Sequence, residues 1–115
     1  MVDNQTLNIP IACTLSDPER ARRTAELETE TFAAVLEIRE LPDGYAFRFP
    51  ADSEWLPLLA AFIAEERHCC PFFTFELVFE PAEGPIWLRL RGREGGKAFI
   101  AEQFLTVLPA EMRPA

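Results

Sequence analysis

The sequence predicts an α+β fold in which helices cover one face of an antiparallel sheet. Two observations support this fold class. The segments 33–50 and 73–90 each read as a hairpin with alternating apolar residues, and three further segments have helical patterning. The predicted order is β-α-ββ-α-ββ-α with four to five strands. A chain of 115 residues has the length of one domain, so we expect 1–115 to be a single domain.

The first predicted strand covers 7–14, where four residues alternate with the others: Leu7, Ile9, Ile11 and Cys13. Pro10 cannot donate a ladder hydrogen bond, so this strand belongs at a sheet edge. A helix follows. Ser16 and Glu19 have the spacing of a capping box, and the pattern extends to about Glu30.

The first hairpin turns at 41–44, where Pro42 fixes φ and Gly44 allows a positive φ. A second helix begins near Asp52. It must end near Cys69, because Pro71 disfavours the helical conformation for the residue before it.

The second hairpin turns at 81–85, a segment with two prolines and a glycine. The last predicted helix runs from about Gly96 to Leu108, with Val107 among its inward residues, and Pro109 stops it.

Charge and hydropathy narrow the classes of partner. The net charge of −8 repels phosphate backbones, so we expect no nucleic-acid binding. No stretch approaches the ~18 apolar residues that span a bilayer, so we expect no membrane insertion. The polar N-terminal residues do not read as a signal peptide. The expected compartment is the cytoplasm, where three cysteines remain thiols.

The chemically distinctive feature is a thiol cluster. Cys69 and Cys70 are adjacent, and the predicted chain trace places Cys13 at the same end of the sheet. Two vicinal sulfurs and a third match the ligands of soft ions, so arsenic, mercury, copper and zinc are all candidates. His68 could add a nitrogen and complete a set of four ligands for zinc. No organic cofactor and no catalytic residue is predicted.

Other interpretations of these residues stay open. Cysteines are often buried as small apolar side chains, and a histidine at a helix end is more often a surface residue than a ligand. Glu65 and Glu66 read as a solvated helix face. The chain could instead be a thiol-dependent redox or transfer enzyme, although His68 is poorly placed as a base for its neighbour Cys69. It could also be an interaction module, including a homodimer, with structural cysteines.

The chain resembles a family of short bacterial proteins, whose members look like it over nearly its full length. Two segments carry the resemblance: Ile11-Ala12-Cys13-Thr14-Leu15 and Glu66-Arg67-His68-Cys69-Cys70-Pro71-Phe72. That family has an I-A-C-T-L-type start and a later E-R-x-C-C-P-F motif. Some members are encoded near regulators of heavy-metal resistance or are fused to them. The resemblance therefore implies a role in metal or metalloid stress, and it implies no particular enzymatic activity.

Overall fold

Helices and hairpins alternate along the chain. The structure is a computed structural model and describes residues 17–112. The predicted first strand and Cys13 lie outside these residues. The elements are α1 (Pro18–Phe32), β1 (Glu37–Leu41), β2 (Gly44–Phe49), α2 (Trp55–Cys69), β3 (Thr74–Phe79), β4 (Ile86–Arg91) and α3 (Gly96–Phe104), followed by two short 3-10 turns.

The four strands form one antiparallel sheet in the order β1-β2-β4-β3. Each hairpin pairs its own strands, and β2 joins the hairpins by pairing with β4, with Phe47 opposite Leu88. The predicted α+β class is confirmed. In the described part of the chain no helix has the length and apolar character needed to cross a membrane.

The core lies between the sheet and the helices, because every second residue of the central strands points to that side. Phe47, Phe49, Leu88 and Leu90 from the sheet are fully buried there. Phe32, the last residue of α1, lies at the centre, with ring centroids 4.8 Å from Phe47, 5.5 Å from Phe62 and 5.1 Å from Phe104. The aromatic cluster thus joins α1, α2 and α3 to the sheet: Phe32, Phe47, Phe62 and Phe104.

Gly44 has a different role from the predicted one. Among the described glycines only Gly95 has a positive φ, so Gly44 does not provide the left-handed turn conformation expected of it. Instead, a Cβ atom at Gly44 would lie 1.9 Å from the carbonyl oxygen of Leu90. The absence of a side chain allows β2 and β4 to approach each other where they pair.

The last helix is shorter than predicted. Helix α3 ends at Phe104, and the chain continues as a 3-10 turn over Leu105–Val107. The tighter turn changes which residues face inward. Leu105 and Leu108 are therefore buried, and Val107 is 45% exposed instead of facing the core as predicted.

The opposite face of the sheet carries charged side chains. Arg91 bridges two carboxylates, at 2.6 Å from Glu76 and 2.7 Å from Asp43. The hydrogen bond to Glu76, followed by that to Asp43, raises the pKa of Arg91 above its ordinary value. Nearby, the Arg39 guanidinium lies 4.6 Å from the ring centroid of Trp87. These contacts lie on the face of the sheet opposite to the one that α1, α2 and α3 cover.

Candidate metal centre

The candidate site is built on the last turn of α2. The helix ends at Cys69, as the position of Pro71 predicts. Cys70 leaves the helical conformation, with φ −126° and ψ 70°, but its N–H still donates to the Glu66 carbonyl oxygen at 2.6 Å. The two thiols therefore stand at the junction between a regular helix and the turn that leads into β3.

Glu66 belongs to the buried stripe of α2. The buried residues of this helix are Leu59, Phe62, Glu66 and Cys69, which recur at helical spacing. Glu66 is fully buried, so the interpretation of this residue as part of a solvated face is wrong. Sequence reasoning assigned it to the surface because it is charged, although the apolar stripe, continued by one turn, passes through it.

Three potential ligand atoms converge at this turn. A carboxylate oxygen of Glu66 and the sulfurs of Cys69 and Cys70 all lie within 4.8 Å of one another. The spacing i, i+3, i+4 places the three side chains on one helix face. An ion with Zn–S-like bonds of about 2.3 Å holds two sulfurs no more than about 4.6 Å apart. Small side-chain rotations thus bring the group within coordinating range.

The group is closed to solvent. Glu66 and Cys70 have 0% of their surface exposed and Cys69 has 2%. Both cysteines belong to the hydrophobic core cluster, which also contains Phe72 and Phe73 from the following turn. A carboxylate in apolar surroundings is costly to ionise without compensating interactions, and a cation bound between it and the two thiols is one interaction of this kind.

The structure brings together only some of the predicted site residues. Cys69 and Cys70 share the group with Glu66, which the sequence analysis had not assigned as a ligand. His68 is exposed and is not a member of this group. Cys13 lies outside the described residues. An i, i+3, i+4 search for Asp, Glu, His and Cys would have identified Glu66 from the sequence.

Burial also bears on the enzyme interpretation. A nucleophilic thiol must meet its substrate and a general base. Here the thiols are enclosed, while His68, the base considered for them, lies on the exposed side of the helix. The arrangement is better suited to holding an ion than to attacking a substrate.

Comparison of the chain with known protein families, with curated proteins and with solved structures finds no match. The geometry of Glu66, Cys69 and Cys70 is therefore the basis for a functional proposal.

Proposed function

We propose that this protein binds a thiophilic metal or metalloid ion through Cys69 and Cys70, with Glu66 as an oxygen donor. The observation that carries the proposal is the convergence of three ligand atoms within 4.8 Å at a fully buried position. A cation between them offsets the cost of burying their negative charge.

The donor set favours ions that accept few ligands. Zinc in structural sites takes four protein ligands, and the described group, which is sealed from water, supplies three, so zinc would need a further anionic ligand here. Hg(II), Cu(I) and As(III) form stable complexes with two or three thiolates, and soft sulfur donors select such ions. The ion class that we propose is therefore soft and of low coordination number, with Hg(II) and As(III) as its representatives.

Charge balance favours the same class. Ionised Glu66, Cys69 and Cys70 together carry three negative charges. A divalent ion leaves one of these charges uncompensated, whereas a trivalent ion compensates all three. A linear bis-thiolate of Hg(II) is also neutral when Glu66 is protonated. A further anionic ligand, added to complete a zinc site, would increase the net negative charge that is buried there.

Cys13 is proposed as a third sulfur ligand, because the chain ties it to this region. Asp17 lines the same cavity as Glu65, the neighbour of Glu66 in α2. Cys13 precedes Asp17 by four positions, so their Cα atoms are at most about 14 Å apart. Cys69 lies about 6 Å along the helix from Glu65. This length of chain is compatible with an approach of the Cys13 sulfur to the group.

This proposal agrees with the resemblance to proteins associated with heavy-metal resistance. A buried site for Hg(II) or As(III) is the chemistry that a protein needs in order to sequester such ions. We therefore include in the proposal a protective role against metal or metalloid stress in the cytoplasm.

Native mass spectrometry of the reduced full-length protein tests the proposal. We expect one equivalent of Hg(II) or arsenite to be retained, and zinc to be retained weakly. The Cys69→Ala/Cys70→Ala variant should lose the arsenite adduct, while His68→Ala, in the same turn, should keep it. Thermal melts of each variant establish that it is folded. Equal retention of arsenite by the double variant and the wild type would rule out the proposed site.

A further inference from the structure

The two edges of the sheet differ in how they are protected. β1 has the sequence E-I-R-E-L, and charged side chains of this kind discourage pairing with another chain. β3 has the sequence T-F-E-L-V-F, with one charge and no proline. Among the described residues no strand pairs with the outer edge of β3. This edge has the features of a strand that accepts a partner.

The apolar side chains of β3 are incompletely covered. Phe75 and Leu77 are half-buried, and Phe79 is 52% exposed. By contrast, Leu88 of β4, which pairs with Leu77, is fully buried. A groove of about 500 Å³ runs beside β3, lined by residues of α2 and β3: Ile63, Arg67, Phe73, Thr74, Phe75 and Leu77.

We propose that two copies of the chain pair antiparallel through β3, about a two-fold axis at Leu77, so that two four-stranded sheets become one. In this register Phe75 lies opposite Phe79 of the second copy, and Leu77 lies opposite its own counterpart. The exposed ring of Phe79 then meets the partner's groove at Phe75, one of the residues that line it.

The sequence of β3 selects this register over its neighbours. Directly opposite residues on antiparallel strands lie on the same face, about 4.5–5.5 Å apart between Cβ atoms. An axis at Glu76 places two copies of Glu76 opposite each other, and an axis at Val78 places Glu76 opposite Glu80. Like charges in these positions are destabilising. An axis at Leu77 instead places Glu76 opposite Val78 and ends the pairing before Pro81, which could not extend the ladder.

The net charge of the chain determines how strongly we expect the two copies to associate. Two copies that each carry −8 repel one another, so the dimer should be weak at low ionic strength and tighter when salt screens the repulsion. This salt response distinguishes pairing through apolar strands from pairing through ion pairs, which salt weakens.

Sedimentation equilibrium of the reduced protein over a range of concentrations and salt tests the inference, and it is independent of any ion. We expect a reversible monomer–dimer equilibrium that Phe79→Lys weakens by about tenfold or more, since two cross-strand pairs are lost. Leu36→Lys, an equally exposed position at the other side of the sheet, should leave the equilibrium unchanged. Thermal melts establish that both variants are folded.

Amide hydrogen exchange locates the contact. On dimerisation, protection should increase in β3 and remain the same in β1. A monomer at every concentration, a dimer that Leu36→Lys weakens as much as Phe79→Lys does, or protection gained in β1 instead of β3 would each overturn the proposal.

Discussion

The N–H of Cys70 donates to the carbonyl oxygen of Glu66 at 2.6 Å, although the backbone of Cys70 has already left the helical conformation. This bond holds the last turn of α2 closed. It fixes the side chains of Glu66 and Cys70 on the same side of the helix end, and Cys69 lies between these two residues in sequence. The three donors are therefore positioned by a helix turn, and rigid elements hold ligands more accurately than loops do.

Replacing Glu66 by Gln tests the role of the carboxylate. The amide keeps the shape of the side chain but removes an anionic donor. We expect zinc affinity to fall by at least about tenfold. Loss of a group that only hydrogen-bonds to a metal ligand already costs about this much, so loss of a direct ligand should cost no less. Hg(II) retention should change little, because two thiolates already neutralise that ion. Competition titrations with a chelator measure both, and Glu65→Gln is the matched control. Equal loss of both ions would show that Glu66 is required for the soft ion as well.

Replacing Cys13 by Ser tests the third sulfur. Each bond from a thiol to arsenous acid, As(OH)₃, releases one water, so the mass of the adduct counts the bonded thiols. We expect the wild type to bind arsenic with loss of three waters and Cys13→Ser with loss of two. Thr14→Ala, a change at the adjacent residue, should leave the mass increment unchanged. An adduct of the wild type that has lost only two waters would remove Cys13 from the site.

The burial of Cys69 and Cys70 predicts that alkylating reagents modify these thiols slowly. Reagents can reach Cys69 and Cys70 only when the structure opens locally, and such opening has its own free energy. In a Cys13→Ser background we expect iodoacetamide to modify the two thiols far more slowly than in the unfolded chain, and faster as urea is added. Bound Hg(II) should slow the reaction further. Modification at the rate of the unfolded chain would contradict the buried position of the two thiols.

The sequence predicted both hairpins and the end of α2, because period-two alternation, turn residues and Pro71 are local signals. Glu66 was missed for a physical reason. A charged residue is normally assigned to water, and only packing shows that a helix stripe carries it inward. The function of Gly44 was also missed, since its close approach to Leu90 depends on pairing between strands 46 residues apart.

The central aromatic residue gives a prediction on stability. Phe32 is 1% exposed and packs against Phe47, Phe62 and Phe104. Phe32→Ala should lower the free energy of unfolding by about 3–5 kcal/mol, through lost burial and a cavity. Leu36→Ala, at a side chain 52% exposed, should lower it by no more than about 0.5 kcal/mol. Urea denaturation of both variants measures the difference, and similar losses would contradict the placement of Phe32 at the core.

Two glycine-to-alanine changes should act in opposite directions. A Cβ at Gly44 would collide with the backbone of Leu90, which cannot move without breaking the β2–β4 ladder, so Gly44→Ala should destabilise the protein by more than about 2 kcal/mol. A Cβ at Gly96, the first residue of α3, meets no atom within 4 Å. Alanine is there the better helix former, so Gly96→Ala should stabilise the protein by about 0.5–1 kcal/mol. Thermal and urea unfolding measure both changes. If Gly44→Ala were tolerated as well as Gly96→Ala, the close approach of β2 to β4 at that residue would be wrong, and with it the register that joins the two hairpins.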